Sequence, residues 1–330
     1  MRQIAIILFT FSVFLSVQAQ KKNNSQPELN NTFKVHEEVD DSELNIHSEI
    51  QMHKLADGGG SGYPTKLIEA ISLNNRGVES FLEKKYDKAL AYFHLAALKS
   101  PESIPIQTNL ANALLSKNYY SEAVEICRKM ISNNDAKSGS VYAILGNALY
   151  EMGNFTESAT FFQKAVDFEK QNANYYNNLG IALYSAEDKQ AALGAFENAV
   201  KNKLIFPEAL NNYGVTLVEL GKYKEAAQKF QQAIKQKPGF ANAHGNLGMV
   251  FSHLNKKKEA RKSFLEAVRL KPEWSIVHYN LGVSYLAEGN REEARRCLKI
   301  LEKIDENLAG QFQKEFYRDY IIDVSEAGNN

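Results

Sequence analysis

The chain has 330 residues, a length that on its own suggests two domains. Its 39 Lys and Arg are matched by 39 Asp and Glu, so no net field draws it toward nucleic acid or acidic surfaces.

In chain order, the first 19 residues stand apart. Arg2 precedes an apolar run from Ile4 to Leu15, then Ser16-Val17-Gln18-Ala19, then the polar Gln20-Lys21-Lys22. A charge, a short apolar stretch and small residues at the end predict a secretory signal, cut after Ala19. The implied mature protein is soluble and exported, either periplasmic or secreted. A membrane anchor is the alternative, but the run is shorter than the ~20 apolar residues of a spanning helix. No cysteine lies near the cleavage point to carry a lipid.

Residues 20–62 are polar. Glu37, Glu38, Asp40, Asp41, Glu43, Glu49 and Asp57 are offset only by Lys34 and Lys54, and Gly58-Gly59-Gly60-Ser61-Gly62 reads as a hinge. This composition suits a disordered spacer. A second reading uses Leu44, Ile46, Ile50, Met52 and Leu55 as anchors of a docking segment.

From residue 70 onward a period of 34 takes over. Gly146, Gly180, Gly214, Gly248 and Gly282 stand 34 apart, and Gly77 and Ala111 continue the phase upstream with one extra residue before Gly146. Aligned on these, seven units cover 70–103, 104–137, 139–172, 173–206, 207–240, 241–274 and 275–308. The twentieth position is Ala89, Ala123, Ser158, Ala192, Ala226, Ala260 or Ala294, and the twenty-fourth is Phe93, Cys127, Phe162, Phe196, Phe230, Phe264 or Leu298. Small residues at positions eight and twenty let two helices approach, and large ones at twenty-four fill the space beside them. Apolar residues every three or four positions predict two antiparallel helices per unit. Gly153, Gly221 and Gly289 mark turns between them, and Pro101, Pro238 and Pro272 end the second helices. After the last unit, Leu308, Phe312, Phe316 and Tyr320 recur at four-residue spacing, as in a helix that covers the final repeat.

This pattern resembles the tetratricopeptide repeat over residues 70–308. The resemblance implies an all-α, right-handed superhelical solenoid. The expected organisation is a signal at 1–19, an acidic segment at 20–62, seven repeats within 63–308, and a capping helix and tail at 309–330. There are departures: position four is never Trp, the second unit has Gln107, Cys127, Met130 and Asp135 at motif positions, and the last has Leu301 and Glu306 where a small residue and proline are usual. End units without a neighbour are expected to be atypical. The resemblance also places position six on the concave face. That position is Asn75, Asn109, Asn178, Asn212, Asn246 and Asn280, broken by Ile144, and Asn112 and Asn147 at position nine widen the polar strip. Asparagine offers a donor and an acceptor to an extended peptide backbone, so these eight residues are the candidate peptide-binding site. Position five begins Asn74, Thr108 and Ala143, so the cationic clamp used by co-chaperones for acidic tails is missing.

Catalytic signatures are absent: there is no phosphate-cradling glycine loop, zinc-ligand spacing or nucleophile elbow. His244 and His278, both at position four, fit helix packing better than a metal site. Cys127 and Cys297 lie in distant units among core positions, as buried structural thiols. Lys235, Lys237, Lys256, Lys257, Lys258, Arg261, Lys262, Arg269 and Lys271 face only Glu259 and Glu266, and read as a solvated outer surface, with an acidic partner or anionic membrane as the minor alternative. The sequence therefore points to an exported, non-catalytic scaffold that binds peptide segments or partner proteins, with no cofactor, nucleic acid or small-molecule substrate. An assembly role in a secretion or polysaccharide-export complex of the envelope is the competing reading. N-terminal sequencing of the exported protein is expected to start at Gln20; a chain still beginning at Met1 contradicts processing.

Overall fold

The computed structural model describes residues 65–132 and 138–327, with the side chains of 65 and 318–327 excluded. The expected signal, the acidic segment, Asp135 and the Tyr320 side chain lie outside the described residues. The described residues divide into two compact units, one ending at Asn202 and the other beginning at Lys203. Helices account for both, and no strand occurs among the described residues.

The N-terminal unit holds four helix pairs: α1 (Thr65–Leu82) with α2 (Tyr86–Lys99), α3 (Ile104–Ser116) with α4 (Tyr120–Ser132), α5 (Gly139–Glu151) with α6 (Phe155–Phe168), and α7 (Ala173–Ser185) with α8 (Lys189–Asn202). The C-terminal unit holds three: α9 (Pro207–Glu219) with α10 (Tyr223–Gln236), α11 (Ala241–His253) with α12 (Lys257–Leu270), and α13 (Ser275–Leu286) with α14 (Arg291–Ile304). It ends in α15 (Glu306–Ala327). Within each unit every helix packs on the next, so the pairs stack in chain order.

The pair geometry follows from the small residues. A Cβ on Gly214 would lie 2.6 Å from the Phe230 ring, and one on Gly77, Gly180 or Gly248 would come equally close to Phe93, Phe196 or Phe264. Each ring rests directly on the backbone of the facing helix and is wholly buried or nearly so. Burying a Phe in this way contributes roughly 1.5–3 kcal/mol. The alanines at position twenty are buried to the same degree, and Ser158, which replaces one, donates its hydroxyl to the Gly146 carbonyl at 2.7 Å. The second pair solves the same problem differently: Ala111 adds a methyl, and Cys127 in place of phenylalanine gives back the volume. In the last pair the ring over Gly282 is Phe312 of α15, 2.5 Å from a notional Cβ. The terminal helix therefore supplies the plug that α14, with Leu298, does not, and buries Leu308 and Phe316 beside it.

All seven pairs turn alike. One residue in each turn has positive φ: Gly153, Gly221 and Gly289, but also Lys84, Asn118, Glu187 and Asn255. Around each, two backbone N–H groups reach back into the first helix, as Lys84 to Phe81 O and Lys85 to Ser80 O do. This is the Schellman arrangement, which satisfies carbonyls that the helix end leaves open.

Gly214→Ala is expected to cost about 1–3 kcal/mol in chemical denaturation by forcing its methyl against Phe230. Combining it with Phe230→Cys, which reproduces the Ala111/Cys127 solution, should cost less than the two single changes added. Additivity within about 0.5 kcal/mol would show that the two positions are not coupled.

Candidate functional site

Within each unit, first helices of successive pairs contact one another, as α1 does α3 and α9 does α11, whereas second helices make no comparable contact. The first helices therefore crowd on the inner side of each unit, and the candidate asparagines all lie on them.

The structure separates these asparagines into two groups. Asn109, Asn147, Asn212 and Asn246 are buried, while Asn75, Asn112, Asn178 and Asn280 are half-buried and reach solvent. Two of the buried ones act between repeats. Asn109 Nδ2 donates to Asn74 Oδ1 at 3.0 Å, and Asn246 Nδ2 donates to Asn211 Oδ1 at 3.0 Å. In both cases the sixth residue of one repeat bonds the fifth residue of the repeat before. The same contact is seen in both units. Periodicity alone does not reveal it, because the pairing runs across repeats at 35 residues rather than within one. Each bond leaves the Nδ2 of the accepting partner, Asn74 or Asn211, fully buried and without a hydrogen bond, as is the Oδ1 of Asn147. A buried polar group left in this way costs about 1–3 kcal/mol.

Position four has a related task. His244 and His278 donate from Nε2 to the carbonyls of Pro238 and Pro272 at 2.9 and 2.7 Å, and Gln107 donates from Nε2 to Pro101 at 3.0 Å. The carbonyl can only accept, so the imidazole proton sits on Nε2. These side chains pin the loop that precedes each first helix. The sequence signal was a polar residue six positions after the helix-ending proline. Burial lowers the His278 pKa below the usual imidazole range, against a smaller upward effect of its bond to Pro272. Burial lowers His253 as well, whose ring lies 3.6 Å from that of Tyr223.

No group of three or more potential metal ligands occurs among the described residues. Burial pushes the thiols of Cys127 and Cys297 up to about 12, which keeps both protonated and unreactive. The basic stretch is less one-sided than it reads in the sequence, because further acids meet it: Lys237 pairs with Glu208 of its own repeat at 3.0 Å, and Arg261 pairs with Glu288 of the next repeat. Arg269 grips Glu266 with two nitrogens, and the hydrogen bond holds that carboxyl below the usual range. Lys256, Lys257 and Lys258 are exposed at the start of α12, a second helix. No described helix is long and apolar enough to cross a membrane.

The geometry defines an all-α protein of stacked helix pairs. Family models described as tetratricopeptide repeat match residues 177–239 and 214–275 and residues 277–304, and one described as TPR repeat matches 146–186. The chain is thus similar to tetratricopeptide-repeat proteins over residues 146–275 and 277–304. The C-terminal part of a TPR repeat-containing protein from Cytophaga hutchinsonii has a similar fold, with a TM-score of 0.57 and 15% identity over 72% of this chain and 97% of that one. YrrB, described as a TPR protein with an unusual peptide-binding site, aligns with a TM-score of 0.48 and 24% identity over 58% of this chain and 99% of its own. MamA of Desulfovibrio magneticus RS-1 aligns at 0.46 and 21% identity, over 51% and 93%.

The lowered pKa of His278 has a measurable consequence. The unfolded chain, with an imidazole near pH 6.5, takes up the proton before the folded chain does. The stability that neutral His278 contributes is present above about pH 6.5 and is lost as the pH falls further. His278→Gln keeps a donor to Pro272, as Gln107 does to Pro101, but cannot titrate. Urea denaturation, followed by the fluorescence of buried Trp274, the single tryptophan, should show a shallower loss of stability on acidification in the variant. An unchanged slope would assign the acid sensitivity to other groups.

Proposed function

We propose that this protein is an exported, non-catalytic scaffold whose first-helix face holds extended peptide segments of protein partners. Tetratricopeptide repeats bind protein or peptide partners, and the residues at positions five and six of these repeats give that general role a particular chemistry. The observation that carries the reading is that the half-buried groups on this face include Asn75, Asn178 and Asn280 and no lysine or arginine at positions five or six. Uncharged amides recognise backbone N–H and C=O groups and are nearly indifferent to side-chain charge. A ligand bound in this way is an extended chain, with no cofactor, small-molecule substrate or nucleic acid required. Export rests on the composition of residues 1–19 and places the partner in the envelope or outside the cell.

Asn109 and Asn246 join repeats to each other, and Asn147 and Asn212 are buried as well, so the test uses accessible asparagines. Replacing Asn75, Asn178 and Asn280 together by Ala should leave helicity unchanged and weaken binding of a partner captured from the envelope. Three neutral hydrogen bonds at about 0.5–1.5 kcal/mol each correspond to roughly tenfold or more in Kd. Charge reversal at Lys256, Lys257 and Lys258 should leave Kd unchanged. Essential lysines with silent asparagines would move the binding site to the second-helix face and overturn the reading.

A further inference from the structure

The second helix of the first pair carries two exposed leucines at neighbouring stripe positions, where the other second helices carry at most one apolar residue. Leu98 in α2 is 78% exposed and Leu95 is 48% exposed, with exposed Ala91 one turn earlier. The residues equivalent to Leu98 in the other six pairs are Ser132, Asp167, Lys201, Lys235, Arg269 and Lys303, all polar. Those equivalent to Leu95 are polar in every pair except the last, which has Ile300. A face that water covers elsewhere is therefore apolar here, at the i, i+4, i+7 spacing of a helix stripe. Ile68, 57% exposed near the start of α1, lies at the same end of the pair, because Lys99 of α2 is ion-paired with Glu69 of α1.

We propose that residues 44–55 of the same chain cover this stripe. Three observations select that occupant. First, α1 begins at Thr65, beside the patch, and the seven residues 58–64 can span up to about 24 Å, enough to bring residues 44–55 over the end of α2. Second, the segment is one of the few outside the repeats with closely spaced apolar side chains: Leu44, Ile46, Ile50, Met52 and Leu55. Third, the charges are complementary at the chain's entry to the patch: exposed Lys66 stands beside Ile68, and Glu43, Glu49 and Asp57 flank the anchors. The segment then serves as an N-terminal cap, the counterpart of α15 at the other end of the chain, and joins the acidic stretch to the repeats.

Hydrogen exchange of the full chain tests this, comparing the natural protein with an Ile50→Asp/Met52→Asp variant. The substitutions lie outside the repeats, and exchange in α10 serves as the internal control for folding. The cap predicts that amides of 86–99 exchange several-fold faster in the variant, that α10 is unchanged, and that protection of 86–99 in the natural chain does not vary with protein concentration. Equal exchange of 86–99 in the two proteins would overturn the proposal. Protection that falls on dilution would also overturn it, and would assign the stripe to a second copy of the chain.

Discussion

A phenyl ring resting on a bare helix backbone sets the distance between the two helices of a pair, and the rest of the fold depends on that distance. Glycine is needed because a Cβ would fall within 2.5–3.1 Å of ring carbons at each of Gly77, Gly146, Gly180, Gly214, Gly248 and Gly282. A glycine inside a helix costs roughly 0.5–1 kcal/mol relative to alanine, which the buried ring offsets. The exceptions relieve the same clash with other residues. Ala111 faces Cys127, and Gly282 receives Phe312 from α15 because α14 has only Leu298 to give. The terminal helix is thus part of the last repeat's core.

Once the pair is set, smaller polar devices fix how one repeat meets the next. His244, His278 and Gln107 tie the inter-repeat loop to the helix that follows it, and Asn109 and Asn246 tie that helix to the repeat before. Each asparagine pair leaves a buried amide N–H unmatched, so it is a poor source of net stability. Its contribution is register: the bond forms only when position six of one repeat lies opposite position five of its predecessor. Dispersion forces between alanines and phenylalanines lack that directionality.

The helix pairs and the pinch were legible in the sequence, because glycine, alanine and phenylalanine recur at fixed places and each has one steric meaning there, although the first helix starts at Thr65, five residues before the repeat phase does. The turns were legible only in part. Gly153, Gly221 and Gly289 announce a positive φ, but Lys84 and Glu187 occupy the same conformation without any preference for it. They are held there by the helix pair, as tertiary packing overrides local propensity. The candidate asparagines were found by position, yet their division into inter-repeat ties and accessible amides was not readable. It depends on burial and on contacts 35 residues apart, which no single repeat encodes. Phe312 appeared in the sequence as one residue of an apolar stripe, without a sign that it would fill the slot over Gly282.

The central claim is that in each unit the first-helix face is the one that meets a partner. Photo-crosslinking in living cells addresses it directly, with a photoreactive residue placed singly at Asn178 and Asn280 on first helices and at Lys201 and Lys235 on second helices. The account predicts covalent partner adducts from Asn178 and Asn280 and none from the two lysine positions. Adducts confined to Lys201 and Lys235 would contradict it and place recognition on the outer surface.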